Sequence, residues 1–133
     1  MPYLSNTCIA NIRLMLAGIM GEPSLYNQML FPDTPVCATP SCAAGWGVYV
    51  MDPENWITNY DKVISLDDWP YAGAKALGLP ADCKLVSLFY SPMFWPSDFS
   101  RAYGSWDSTE TPKLRAIACR DRWEHFIATD GKE

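Results

Sequence analysis

The sequence predicts a mainly α, compact single-domain bundle of five to seven helices around a buried central helix, taking in residues 1–133. Three observations predict it. Apolar residues fill 49% and charged residues 19% of 133 positions, so the chain can bury a sizeable core without a metal or disulfide. Apolar side chains recur at helical spacing in the first and last segments. Between them, residues 42–51 (Cys-Ala-Ala-Gly-Trp-Gly-Val-Tyr-Val-Met) carry almost no polar group, as expected of a helix enclosed on all sides.

The first helix is read over residues 5–20. Ser5 or Asn6 caps it, because a short side-chain oxygen there accepts an early amide proton. Ile9, Ile12, Leu16 and Ile19 should face the core, and Gly21 and Pro23 end the helix. Pro23, Pro32, Pro35 and Pro40 then forbid a long regular element, leaving a short helix over residues 24–31 within an ordered loop.

Ser41 stands where the cap of the apolar helix belongs, and Asp52-Pro53 ends it. Gly45 and Gly47 each weaken a helix by about 1 kcal/mol relative to Ala, so a close-lying neighbouring backbone is the expected compensation. This central helix should be packed by the first and last ones. Residues 54–66 are the least regular; Trp56-Ile57-Thr58 and Val63-Ile64 fit either short strands or loop.

Asp67 or Asp68 caps the next helix, with Pro70 in its first turn and Gly78 as its stop. Pro80 opens another, running through Leu85, Leu88 and Phe89 to Ser91-Pro92. Ser97 caps a short turn ending at Gly104. Thr111-Pro112 begins the clearest helix, over residues 113–129, stopped by Asp130-Gly131. On it Ala116, Cys119, Trp123, Phe126 and Ile127 share one face, with Leu114, Ala118, Asp121 and His125 opposite.

Charge excludes some functions. The net charge is −5, and a protein that tracks phosphates needs clustered Lys and Arg. Lys113, Arg115, Arg120 and Arg122 do cluster, but Asp121 and Glu124 interleave them, which reads as a solvated helix face. Direct nucleic-acid binding is therefore not expected. Residues 14–20 are apolar but too few to span a bilayer, and residues 1–12 carry no basic side chain. A cytoplasmic protein with no membrane partner is expected.

The five cysteines are Cys8, Cys37, Cys42, Cys83 and Cys119. Reduced thiols are the default in that compartment, which also disfavours a Cys37–Cys42 disulfide. Zinc held by that C-x4-C pair needs a second ligand pair. Cys119 and His125 are the candidates, but lie roughly 240° apart around a helix. Neither a metal nor another cofactor is expected.

Catalysis has one candidate constellation. Cys42 at a helix N-terminus would have its thiolate favoured by free amides, with His125 as general base and Asp121, four residues away, orienting it. The competing reading makes Cys42 an inert packing residue and His125 a surface residue, the usual fate of free cysteines. No G-x-G-x-x-G, HExxH, GxSxG or kinase signature occurs, and Asp67-Asp68 reads as capping. The chain also has six Trp, seven Tyr and five Phe. Phe94, Trp95, Tyr103 and Trp106 fall in predicted connections. There they serve either as plugs of the core or as anchors for a partner, or stack on a base.

Tyr26-Asn27-Gln28, followed by residues 37–46 (Cys-Ala-Thr-Pro-Ser-Cys-Ala-Ala-Gly-Trp), resembles a pattern in small uncharacterised proteins of bacteria and their phages. There a Tyr-Asn-Gln element precedes Cys-Gly-Thr-x-x-Cys-x-Ala-Gly-Trp or -His; Ala38 stands at the glycine position. Leu77-Gly78-Leu79, Leu88-Phe89, Trp95-Pro96 and residues 124–129 continue the likeness. The resemblance implies no established activity and carries no catalytic residue. It implies a small accessory protein of a phage or mobile element, working in the host cytoplasm.

Three functions follow as expectations. The first is a binding protein of phage type that engages, and inhibits, a host protein such as a defence effector. The second is a thiol-dependent hydrolase or transferase using Cys42 and His125. The third is a sponge for a nucleotide signal, stacking it on Trp and Tyr.

Overall fold

Ser5 starts the first helix. Its backbone is extended (φ −73°, ψ 157°) and its hydroxyl accepts the Cys8 amide proton at 3.0 Å, satisfying a donor that the first turn leaves over. A computed structural model describes residues 2–26, 42–51, 53, 68–84, 88–89, 92–103 and 112–133. Among them are five helices: α1 (Asn6–Gly21), α2 (Ala43–Met51), α3 (Asp68–Leu77), α4 (Ser97–Tyr103) and α5 (Pro112–Ala128). Single 3-10 turns, Pro23–Leu25 and Pro92–Phe94, precede α2 and α4. No strand element occurs among the described residues. The expected helix over residues 24–31 is this 3-10 turn as far as Tyr26. Its remainder, Cys37, Ser41, Trp106 and the candidate strands at Trp56 and Val63 lie outside the described residues.

α1 buries Cys8, Ile12, Met15, Leu16 and Ile19. Leu4, just before the Ser5 cap, is buried, and Ile9 at the fourth helical position packs on the core. These are the two positions at which an apolar pair fixes how a chain enters a helix.

The central helix is as expected. Ala43, Ala44, Gly45, Trp46, Gly47 and Val48 are all buried. α2 lies between α1 and α3, and both crossings are lined by glycine. Gly18 of α1 makes room for the Trp46 ring and Val50; a Cβ there would sit 3.2 Å from each. Gly73 of α3 faces the Ala44 backbone; a Cβ there would lie 2.8 Å from the Ala44 Cα. The close backbone approach expected around α2 is thus made by Gly73 on its neighbour, while Gly47 itself meets the Leu77 side chain. The Trp46 indole donates to the Leu25 carbonyl at 3.0 Å, tying α2 to the 3-10 turn that follows α1.

The last helix corrects one expectation. Among the described residues α5 packs chiefly along α1 and α4, and the main neighbours of α2 are α1 and α3; α5 approaches only the start of α2, where Cys119 lies near Cys42. α1 and α5 run antiparallel: Arg13 pairs with Glu124 (3.2 Å), and Leu4 bonds to Asp130. Because α5 is covered on two sides, its buried stripe is wider than one face. Ala118 and Arg122, read as outward-facing, are both enclosed. A second correction concerns Pro80. The chain there makes a turn (Cys83 N–H to the Pro80 carbonyl, 3.0 Å), and helix occurs only at Leu88 and Phe89 among the described residues of that segment.

Helix ends use left-handed residues. Gly78 (φ 77°) follows α3. α5 closes with Asp130 (φ 51°) and Gly131 (φ 79°); the Gly131 amide reaches the Phe126 carbonyl at 2.8 Å and the Asp130 amide reaches Ile127 at 3.0 Å. This is the paired-bond closure of a helix C-terminus, with Asp in the place Gly usually takes.

Asp130 is kept there for its carboxylate. One oxygen accepts the Leu4 amide (2.9 Å) and the other the Tyr3 amide (2.7 Å). These two bonds, helped by Lys132, hold its pKa below the ordinary value; the slight burial works against them. A depressed folded-state pKa contributes stability that is complete above the unfolded value of about 3.9 and is lost as pH falls through the folded one. Melting temperature should therefore drop on acidification, and Asp130→Asn should flatten that acid limb. Parallel acid limbs in the two proteins would show that Asp130 contributes nothing to it.

Candidate functional site

The residues proposed for chemistry or contact divide sharply by exposure. Trp95 and Tyr103 are core residues, 4% and 5% exposed. Their rings meet edge to face at 5.6 Å; Tyr103 also meets Tyr26 at 6.4 Å, and the Arg115 guanidinium lies 5.5 Å from its ring centre. The local reason is the 3-10 turn Pro92–Phe94. It folds the chain back so that Trp95, whose amide bonds to the Pro92 carbonyl at 3.0 Å, enters the core just before α4 begins. Neither ring offers a face to a nucleobase or a partner, so the expectation of binding anchors is corrected for both. Phe94 differs. It is 51% exposed beside Met93, which is 70% exposed.

The Cys-His-Asp constellation is not assembled. Cys42 is 1% exposed at the start of α2. Burial pushes its thiol up to about 11, although the Gly45 and Ala44 amides pull the other way. The amide effect expected of a helix N-terminus is present, and desolvation outweighs it. A thiol raised in this way stays protonated at neutral pH. Cys42 is free, and its neighbours include Cys119 and Tyr26. His125 bonds through Nε2 to the Glu133 carboxylate at 2.9 Å and packs on Phe99 with ring centres 5.0 Å apart. Asp121 does not orient it. That carboxylate lies 3.3 Å from Arg120.

The remaining described thiols behave alike. Burial raises Cys119 to about 12 and Cys83 to about 11, and raises Cys8. Tyr26 hydrogen-bonds with Cys119 and is itself held well above its ordinary range, first by burial. Arg122 joins this interior seam. Burial draws its pKa down to about 10, opposed by the nearby Cys119, Cys83 and Glu133, so it keeps its charge at neutral pH. The seam was not legible in the sequence, because its members come from five separate segments. Among the described residues no three His, Cys, Asp or Glu side chains converge as a metal site would require.

What remains accessible is the outer surface. Tyr71, Leu14 and Leu114 are exposed on three different helices, α3, α1 and α5, and isolated exposed apolar side chains are ordinary on protein surfaces. Met93 and Phe94 form an adjacent pair on a turn that Pro92 and Trp95, both buried, hold in place. No described helix is long and apolar enough to cross a membrane.

Comparison with protein-family models, with curated protein sequences and with solved structures finds no match for this chain.

Proposed function

We propose that this protein works by recognising another protein through its surface and performs no chemistry at its thiols. The exposed Met93–Phe94 pair carries this reading. Two large apolar side chains stand out on a short turn whose flanking residues are locked in the core. A knob already held in place loses little freedom on docking, and apolar anchors of this kind dominate many interfaces. The burial and high pKa of Cys42, and the engagement of His125 by Glu133, support the exclusion of thiol catalysis. The specific form of the reading, a phage or mobile-element accessory protein that inhibits a host defence protein in the host cytoplasm, is supported by the resemblance through residues 37–46. The nucleotide-sponge reading loses support with the burial of Trp95 and Tyr103.

The test compares the protein with a Met93→Ser/Phe94→Ser double variant, each immobilised and exposed to the same bacterial lysate. One protein should be retained near-stoichiometrically and fall at least about tenfold on the variant, equivalent to about 1.4 kcal/mol of binding. Both baits should melt alike, since the changed side chains are exposed. If no retained protein depends on these two residues, the reading is wrong.

A further inference from the structure

Residues 2–4 join two elements far from them in sequence. The Tyr3 and Leu4 amides donate to the two oxygens of Asp130 at the end of α5, at 2.7 and 2.9 Å. The Tyr3 hydroxyl donates to Asp82, in the turn after α3, at 2.7 Å. Its ring lies over Gly131, where a Cβ would come within 2.5 Å of it, so only glycine admits this seat. Leu4 is enclosed.

The hold on this segment is mostly polar and near the surface. Asp130 and Asp82 fasten it, and one apolar side chain, Leu4, is fully buried. Segments of that kind open at far lower free energy than a packed core. Leu4 lies one helical turn before Cys8, which is buried and whose amide depends on the Ser5 cap. The residue after Asp82 is Cys83, whose thiol lies near both Tyr3 and the Cys8 thiol, so Cys8 and the Tyr3 seat belong to one corner.

We propose that residues 2–4 form a latch, held shut by the Asp130 and Asp82 carboxylates, which opens as a unit while the helices stay folded and uncovers the Cys8 thiol. Solvent and thiol-reactive molecules then reach Cys8 without unfolding of the bundle. Asp130 lies near Lys132, Asp82 lies near Tyr3 and Cys83, and Arg122 reaches Cys83, so charged groups of α5 and of the turn after α3 meet at the latch.

N-ethylmaleimide labelling at pH 7.5, resolved by peptide mass spectrometry, tests it with Cys42 and Cys119 as reference thiols inside the core. Cys8 should label at least about tenfold faster than both references, as local opening outpaces global unfolding. Asp130→Asn keeps a residue that tolerates the left-handed backbone and removes the charge. It should speed Cys8 severalfold and leave Cys42 and Cys119 unchanged. Tyr3→Phe, which removes only the bond to Asp82, should give a smaller rise at Cys8. Labelling of all three thiols in step, in the native protein or either variant, would mean that no separate latch exists. A Cys8 rate indifferent to both substitutions would overturn the role of the carboxylates.

Discussion

Trp123→Ala should lower the unfolding free energy by about 3–5 kcal/mol, the usual cost of emptying a large aromatic site in a core. For a chain of this size that is a fall in melting temperature of about 10–20 °C. Trp123 is fully enclosed on α5 and meets Phe89 and Phe126 at ring-centre distances of 5.4 and 5.6 Å. Its loss would leave two aromatic rings without their shared neighbour and open a cavity where α5 meets the rest of the core. Trp123→Phe should be far milder. The indole N–H is buried with no hydrogen-bond partner among the described residues, so the smaller ring removes an unfavourable group along with some volume. Equal losses for the Ala and Phe variants in denaturant unfolding would show that ring packing is not what Trp123 contributes.

The second large effect is expected at Gly73. A side chain there meets the Ala44 Cα at 2.8 Å and the Ala44 Cβ and carbonyl oxygen at 3.0 Å, which are backbone and near-backbone atoms that cannot rotate away. α2 and α3 would have to separate. Overpacking of this kind costs about 1–3 kcal/mol, and for Gly73→Ala it acts against a helix-propensity gain of about 1 kcal/mol. Gly73→Val, bulkier and without that gain in full, should be worse and should fail to melt cooperatively near the native temperature. Gly21 provides the contrast. Nothing lies within 4 Å of a Cβ built there. Gly21→Ala should therefore be neutral or stabilise by a few tenths of a kcal/mol to about 1 kcal/mol. If Gly73→Ala and Gly21→Ala shift the melting temperature in the same direction, the close crossing of α2 and α3 is not what the structure shows it to be.

Much of the helical frame is legible from residues that act locally. Ser5 caps the helix it precedes, Gly78 stops another, and Asp130-Gly131 ends the last, because each effect depends only on a few neighbouring backbone groups. The apolar run of α2 likewise announces its own burial. What is not legible depends on which element comes alongside. Nothing in the sequence singles out Gly73 until Ala44 is set against it. Arg122 reads as solvated until α5 is covered from two directions, and Ala118 follows it inside. Asp130 reads as a stop signal, and its hold on Tyr3 and Leu4 spans nearly the whole chain.

The candidate site shows the same division. The amides that favour a Cys42 thiolate follow from its place before α2. The burial that outweighs them goes with the apolar run of residues 42–51, and which of the two effects wins is decided only in the packed core. A spacing of four positions between Asp121 and His125 allows a pair, but Arg120 and Glu133 compete for the same groups and take them. Phe94, Trp95 and Tyr103 are equally aromatic in sequence. The 3-10 turn at Pro92–Phe94 leaves Phe94 outward and brings Trp95 inward, and α4 buries Tyr103 at its end.

The interior position of α2 and the structural role of its thiol are tested most directly by the alkylation of Cys42 by iodoacetamide, followed against pH in the native and the denatured protein. An enclosed thiol should react only as fast as the bundle unfolds, roughly a thousandfold or more below the denatured rate. Rapid native labelling that levels off above a pH of about 6 or 7, as an exposed and activated thiolate shows, would contradict the whole account.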